Sequence, residues 1–148
     1  MIEVLSHNAI EAALHDHHRQ YLVGDLKLPQ PLAYIRDEQV EMGMTVYDAF
    51  KCEAPHFHTS VTEYQIILKG SAKYVDLEAD RELLVEEGDV FVIRPHTSYL
   101  QKSPAGAAIL FFKHPGGNDK QLVPMTGRME AWAACWEAAW SPERSEEK

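Results

Sequence analysis

Cysteine is rare in this sequence, and long hydrophobic runs are missing. Cys52 and Cys135 are its two cysteines, and they lie far apart in a chain of 148 residues. They make no disulfide framework, so we expect both to be reduced thiols. No apolar run approaches the length of a transmembrane helix, and the N-terminus lacks a basic region followed by an apolar stretch. We therefore expect a cytoplasmic protein.

Basic residues are also scarce. Lys and Arg number 14 against 23 Asp and Glu, which gives a formal net charge of -9. Such a surface repels phosphate backbones and anionic lipids, so we expect neither nucleic acid nor membrane as a partner. Hydrophobic residues make up 45% of the chain and charged residues 25%, which is typical of a folded globular domain. We expect one domain with appendages.

Helical patterns occur near the two ends of the chain. Residues 6–21 form an amphipathic pattern, and the Pro29 to Pro31 segment then breaks regular structure. Residues 128–140 are rich in alanine and predict a second helix. Three tryptophans recur every fourth residue in it and predict an apolar stripe that packs on the rest of the domain or on a partner subunit: Trp132, Trp136 and Trp140.

Between these ends the chain consists of short runs that are typical of β-strands. Eight runs occur without intervening helices, which indicates an antiparallel sandwich or barrel. They span residues 32–36, 40–47, 61–68, 72–77, 82–85, 90–93, 99–102 and 107–113. The predicted organisation is an N-terminal helix and linker, a barrel, and a C-terminal loop, helix and polar tail, at residues 1–31, 32–114 and 115–148.

Three of the predicted strands are apolar on both faces. They lie at residues 64–68, 90–93 and 109–112. Neither face of such a strand is polar enough to lie against water, so something must cover the outside of the barrel as well as fill its inside. We predict that a second copy of the chain does so, in a homodimer.

Side chains that bind metal ions concentrate between Pro55 and Gly70. In an extended segment alternate side chains share a face, so His56 and His58 would point the same way and one metal ion could contact both. Glu63 could join them only if a kink near residues 59–60 re-aims the chain. The pattern predicts a metal site at the start of a strand.

This stretch resembles the first motif of the cupin superfamily. There His-x-His, four residues, Glu, six residues and Gly occur on adjacent strands of a small barrel, and Phe50 stands at the position of the family's leading Gly. The resemblance, closest to small single-domain cupins of the cupin-2 type, covers residues 33–114. It implies an all-β, jelly-roll-like double-stranded β-helix with a cavity at one end, here with short N-terminal and C-terminal helices.

The second cupin motif has the pattern Gly, five residues, Pro-x-Gly-x-x-His. Aligned on Gly88, it places Arg94 at the proline, His96 at the glycine and Tyr99 at the third histidine of the family. A phenol with a pKa near ~10 must lose its proton before it binds a metal ion well, whereas a neutral imidazole binds directly. The departure therefore bears on which residues complete the site.

Three ligand sets stay open. Tyr99 replaces the imidazole, or His96 turns in from three residues earlier, or the set is limited to His56, His58 and Glu63, with Tyr99 beside it as a ligand or hydrogen-bond donor. The last is preferred, because two histidines and one carboxylate leave positions open for water, oxygen or substrate. The resemblance implies a divalent transition metal: Fe, Mn, Ni or Zn.

Four residues are candidates for binding a small-molecule substrate. Gln65 shares strand parity with Glu63, so its amide is expected to project into the same cavity. Arg94 follows a buried strand, and two roles stay open for it: pairing with an acidic residue, or bidentate donation to a carboxylate of a ligand. His96 and Tyr99 complete this set.

The resemblance implies several functions, and the fold does not choose among them. The preferred hypothesis is a metal-dependent enzyme, dioxygenase-like or another oxidoreductase, acting on a small molecule in the cavity. The alternatives are a non-catalytic domain that binds or senses a sugar or metabolite, and a sugar isomerase or epimerase. The missing third histidine, and the lack of an evident general base outside the ligand set, favour the binding domain.

Overall fold

Strands are the main regular structure of residues 1–141, which are the part of the chain that the computed structural model describes. The strands are β1 (Arg19–Gly24), β2 (Ile35–Arg36), β3 (Glu41–Val46), β4 (Lys51–His58), β5 (Thr62–Lys69), β6 (Ser71–Asp76), β7 (Arg81–Glu86), β8 (Val90–Ile93), β9 (Tyr99–Ser103), β10 (Ala108–His114) and β11 (Lys120–Leu122). Helix α1 spans His7–Asp16 and helix α2 spans Gly127–Ala133. The predicted polar tail, from residue 142 onward, lies outside the described residues.

The strands form two sheets that face each other. Sheet A has the order β2-β1-β3-β10-β5-β8, and sheet B has the order β11-β4-β9-β6-β7. Neighbouring strands are antiparallel except for the short pair of β1 and β2. Consecutive strands alternate between the sheets through much of the barrel, which is the jelly-roll arrangement. The predicted all-β barrel with short terminal helices is confirmed.

Apolar side chains fill the barrel on one side of its interior. This cluster consists of Tyr47, Ile67, Ala72, Tyr74, Ile93, Tyr99, Ala107 and Ile109, all buried. Nearby, Gly43 faces inward on β3, where an added Cβ would lie 2.2 Å from Cζ of Phe111. Glycine at this position therefore lets the Phe111 ring lie directly against the sheet and form part of the cavity wall.

Helix α1 is shorter than the predicted helix over residues 6–21. Ser6 caps its N-terminus by accepting a hydrogen bond from the N–H of Ala9 at 3.2 Å. It ends at Asp16, and the next residues leave the helix to form β1, which pairs with β3. Strand β1 therefore belongs to sheet A, although it lies within the predicted N-terminal helix and linker.

Strands β4 and β11 were also not predicted. Strand β4 pairs with β9, and its register shifts between Glu53 and His56, so its side chains do not alternate regularly. Strand β11 has three residues, all exposed, and pairs with β4 at the edge of sheet B. The barrel thus includes residues on both sides of the predicted 32–114 range.

Helix α2 packs on the outer face of sheet B. Trp132, 1% exposed, lies there in a buried cluster with Val75, Leu100 and Met129. The helix ends at Ala133, so the other two tryptophans do not continue a stripe along it. The predicted packing of this segment on the barrel holds for Trp132 and for Trp140, which packs against the same cluster. Within residues 1–141, no helix is long and apolar enough to cross a membrane.

Candidate functional site

A cavity of about 180 Å³ lies between the two sheets. Side chains from both sheets line it, and most are polar or ionisable. The lining comprises Arg19, Tyr21, Thr45, Tyr47, Glu53, His56, His58, Glu63, Gln65, Tyr74, Tyr99, Gln101, Ile109, Phe111, Lys113, Asn118 and Lys120. Buried polar groups are costly unless they are paired, so this concentration marks the candidate site.

His56 is held as a neutral imidazole near the end of β4. Its Nδ1 lies 2.8 Å from the carbonyl oxygen of Ala54, and a carbonyl only accepts, so Nδ1 carries the proton. Burial lowers the pKa of His56 to about 4, and the positive charge of Lys120 adds to this effect. At neutral pH the ring therefore has a lone pair on Nε2.

His58 is oriented in the same way by a carboxylate. Its Nδ1 lies 2.7 Å from Oδ1 of Asp119 and donates to that carboxylate, so Nε2 is the ring nitrogen that stays available to a ligand. The two imidazoles stand perpendicular with ring centroids 5.3 Å apart, and both line the cavity. The predicted common direction of the two histidines is confirmed. A ring whose second nitrogen donates to a fixed oxygen is the usual arrangement of a metal-binding histidine.

Asp119 also holds the bend that follows β4. Its carboxylate accepts hydrogen bonds from the N–H of Ser60, from the N–H of Val61 at 3.1 Å and from Oγ1 of Thr59 at 3.1 Å. Burial acts to raise the pKa of Asp119, but these hydrogen bonds and the one from His58 outweigh it and hold the pKa well below its usual range. The predicted kink near residues 59–60 is therefore present, and an ionised carboxylate stabilises it.

Glu63 is buried on β5 and is engaged by its neighbours. Gln65 donates its amide to Oε2 of Glu63, and Tyr74 donates its hydroxyl to the Gln65 carbonyl oxygen. Nζ of Lys113 lies 3.9 Å from Oε1 of Glu63 and 3.3 Å from Glu41. Gln65 projects into the cavity, as strand parity predicts. Within residues 1–141, no group of three or more His, Cys, Asp or Glu side chains is arranged to hold a metal ion.

Tyr99 lies beside His56. The two residues are direct cross-strand neighbours, and their ring centroids are 4.6 Å apart. Burial raises the pKa of Tyr99 well above its ordinary value, and the negative charge of Glu63 adds to the effect. Tyr99 therefore stays a neutral phenol at pH 7, which suits a hydrogen-bond donor better than a metal ligand.

The structure places Arg94 and His96 away from the cavity. Both are exposed and neither lines it. His96 lies in the turn between β8 and β9 with a φ of 63°, and its backbone N–H donates to the carbonyl oxygen of His58 at 2.7 Å. Its connection to the site is thus through the backbone.

A second polar cluster in the cavity was not predicted. Glu53 accepts hydrogen bonds from Arg19 at 3.0 Å and from the Tyr47 hydroxyl at 3.2 Å, and Arg19 also donates to Thr45 at 2.9 Å. Burial and the charge of Glu53 raise the pKa of Tyr47 to about 12. Strict alternation along β4 would place the side chains of Glu53 and His56 on opposite faces. The register shift between the two residues changes the face to which Glu53 projects. The sequence could have identified Lys113 as a cavity residue, because it lies two residues after the buried Phe111 on β10 and so shares its face of the strand.

The donor set fits a divalent metal ion in part. Two imidazoles whose Nδ1 atoms are held by fixed oxygens leave Nε2 as the ligand atom, and imidazole nitrogens are good ligands for Fe, Mn, Ni or Zn. Glu63, however, is engaged by Gln65 and lies close to Lys113, so it does not complete a three-residue metal site with the histidines as it is held.

Comparisons with known proteins identify the fold. No protein-family model matches the chain, and no curated protein matches it in sequence. Solved structures do match. KdgF from Halomonas sp. is 14% identical with a TM-score of 0.53, over 68% of this chain and 80% of that one. An RmlC-like cupin protein from Desulfovibrio desulfuricans is 18% identical with a TM-score of 0.52, over 76% and 98%.

An enzyme is among the similar structures. The polyketide cyclase RemF from Streptomyces resistomycificus is 15% identical with a TM-score of 0.53, over 69% of this chain and 72% of that one. Identities this low establish the fold and leave the reaction open. These similarities are consistent with the architecture of the chain, which has two facing sheets and an interior cavity. The chain has the fold of these solved structures, a double-stranded β-helix like that of the RmlC-like cupin protein.

Proposed function

We propose that the protein is an enzyme that acts on a small molecule in the cavity, with His56 and His58 binding a divalent Fe, Mn, Ni or Zn ion. One observation carries the proposal. Each ring uses Nδ1 as a donor to a fixed oxygen, so each presents Nε2 as a ligand in a cavity that both rings line. Glu63 is the candidate third ligand of the set that the sequence predicts.

The protein's own groups favour proton transfer as the reaction class. When bound, the metal would supply Lewis-acid polarisation of a substrate oxygen. The phenol of Tyr99 is a donor to a substrate oxygen next to His56. Glu53 is a cavity carboxylate outside the predicted ligand set, which the sequence did not identify, and it can accept a proton. These groups suit an isomerase or a related acid–base enzyme better than the oxygen chemistry that the sequence analysis preferred.

Metal analysis of protein purified without a His-tag tests the first step. We expect about one divalent ion per chain by elemental analysis, and a rise in melting temperature when metal-free protein receives Fe, Mn, Ni or Zn. His56→Ala and His58→Ala should each abolish both effects. His17→Ala, at an exposed position after α1, should change neither. Absence of bound metal together with absence of any thermal shift would reject the proposal.

A domain that binds a small molecule without metal is the second candidate. The engagement of Glu63 by Gln65 and the nearby Lys113 favours it, because both partners would have to move before the carboxylate could bind a metal ion. This candidate predicts that EDTA-treated protein binds its ligand as tightly as untreated protein. Turnover of any isomerising or oxygen-consuming substrate by the metal-loaded protein, lost in His58→Ala, would count against it.

A further inference from the structure

The cations that line the cavity differ in how they are neutralised. Arg19 pairs with Glu53 at 3.0 Å. Lys113 lies 3.3 Å from one carboxylate and 3.9 Å from another, those of Glu41 and Glu63. The charges of Arg19 and Lys113 are therefore already compensated inside the protein.

Lys120 is different. It lines the cavity from β11, and no carboxylate of residues 1–141 forms an ion pair with its ammonium group. Its direct cross-strand neighbour is His58, and directly opposed residues of an antiparallel pair project to the same face. Lys120 thus brings an uncompensated positive charge to the side of the sheet where the two imidazoles lie.

The net negative charge of the rest of the protein makes Lys120 a favoured position for an anion. The formal net charge of -9 repels anions from most of the surface. Electrostatic attraction of an anion is therefore strongest at a cation that has no carboxylate partner. The carboxylates of Glu41 and Glu63 share one cation, Lys113, and of the two carboxylates Glu63 is the one that lines the cavity. The negative charge of Glu63 favours a hydroxyl donor over a second anionic group beside it.

The size of the cavity limits the ligand. A volume of about 180 Å³ equals roughly six water molecules at the ~30 Å³ that each occupies in the liquid. A ligand that fills it has on the order of ten non-hydrogen atoms or fewer. One lysine matches the single charge of a carboxylate, whereas a dianionic phosphate is usually held by several cations or backbone N–H groups.

We infer that the cavity binds a small hydroxy acid, with its carboxylate on Lys120 and its hydroxyl directed toward the Glu63 and Gln65 end. The inference rests on the proposed function, because it names the ligand class of the same site. It makes Lys120 a specificity-determining residue, and it gives β11 the role of bringing that residue to the cavity.

Titration calorimetry on EDTA-treated full-length protein tests the inference. The probes are glycolate and lactate, the matching neutral amides glycolamide and lactamide, and inorganic phosphate. We expect at least one carboxylate to bind ten times more tightly than its amide or better, and more tightly than phosphate. Lys120→Gln should weaken that carboxylate about tenfold to a hundredfold, as the loss of one charged hydrogen bond does. It should leave the amide unchanged, and Lys120→Arg should restore most of the affinity.

Lys69→Gln is the matched control. Lys69 is an exposed lysine at the end of β5 that does not line the cavity, so its loss should not affect binding. The inference fails if no carboxylate binds more tightly than its amide, if phosphate binds best, or if the two glutamine variants weaken binding equally. Because the protein is metal-free here, failure of metal binding by His56 and His58 would leave this result unaffected, and the two outcomes can be told apart.

Discussion

At the scale of single residues, Asp119 joins the site to the chain that follows the barrel. One carboxylate accepts hydrogen bonds from the His58 ring, the Thr59 hydroxyl and the backbone N–H groups of Ser60 and Val61. A neutral amide has one acceptor oxygen and cannot accept all four. Asp119 is therefore a positioning residue, which acts on the cavity through the His58 ring.

We predict that Asp119→Asn weakens binding of a divalent metal ion tenfold to a hundredfold, the usual cost of losing the partner of a metal-binding histidine. The measurement is metal affinity by calorimetry, together with nitrogen chemical shifts that report which nitrogen of His58 carries the proton. The matched control is Asp48→Asn, because Asp48 lies 3.7 Å from His18 in an exposed His–Asp pair far from the cavity lining. Equal affinity of the Asp119 variant and the parent protein, with unchanged His58 shifts, would show that Asp119 serves folding alone.

The sequence reveals some of these residues and hides others. The sequence predicts that His56 and His58 lie on one face, because the alternation of side chains along a single strand is a local property. Asp119 lies 61 residues from His58, in a polar segment whose local pattern is that of an ordinary loop. Its role depends on where the chain returns after the barrel, which local pattern does not record. The same holds for Lys120, on a strand of three exposed residues.

At the scale of elements, pairing partners decide the structure where local pattern is ambiguous. The helical spacing of apolar residues continues to Tyr21, yet the chain leaves the helix after Asp16. Residues 19–24 gain hydrogen bonds from β3, and this tertiary pairing outweighs a local preference that is worth little per residue. The alanine-rich C-terminal segment behaves similarly, since α2 stops at Ala133 and the chain then wraps around Lys102.

Lys102 anchors this C-terminal segment to sheet B. It is fully buried, and its ammonium donates to the carbonyl oxygens of Trp132, Cys135 and Ala138 at 2.8, 2.9 and 2.8 Å. The ammonium also lies 4.1 Å from the centre of the Trp132 ring. Burial lowers the pKa of Lys102, so the three carbonyls and the ring are what make the buried charge tolerable.

We predict that Lys102→Met lowers the free energy of unfolding by about 3 kcal/mol, because the variant keeps the aliphatic chain but leaves three carbonyl groups without their donor. Lys73→Met is the matched control. Lys73 is the cross-strand neighbour of Lys102 and makes one such bond, to Trp136 at 2.8 Å, from a half-buried position. Its loss should cost about 1 kcal/mol or less. Urea denaturation measures both, and equal losses would contradict the anchoring role of Lys102.

At the scale of the whole molecule, the two sheets differ in what covers them. Helix α2 packs on the outer face of sheet B, whereas helix α1 lies beside β1 near one edge of sheet A. The remaining outer face of sheet A carries a continuous apolar patch across β3, β10, β5 and β8. Its members are Met42, Met44, Tyr64, Ile66, Leu68, Val90, Val92, Leu110 and Phe112, which the strand registers place side by side. Four of these side chains are exposed: Tyr64, Leu68, Val90 and Val92.

A second copy of the chain fits this patch. Val90 is 68% exposed, and Tyr64 and Leu68 are 42% and 40% exposed, so apolar surface is available for burial. The patch carries no charge, so two copies of net charge -9 that meet here bring no like charges into contact. The outer face of a sheet also matches another such face, because two sheets pack well at a spacing of about 10 Å. A twofold contact places the patch against itself.

We therefore predict a homodimer, with a mass near twice 16.8 kDa in light scattering at micromolar concentration. Val90→Glu should give a monomer, because a twofold contact places each new carboxylate in the apolar interface together with its copy. Leu84→Glu is the control, since Leu84 is 54% exposed on β7 of sheet B and lies outside the patch, so this variant should stay dimeric. A monomeric parent protein at that concentration would refute the dimer, and a Val90→Glu variant that stays dimeric would place the interface elsewhere.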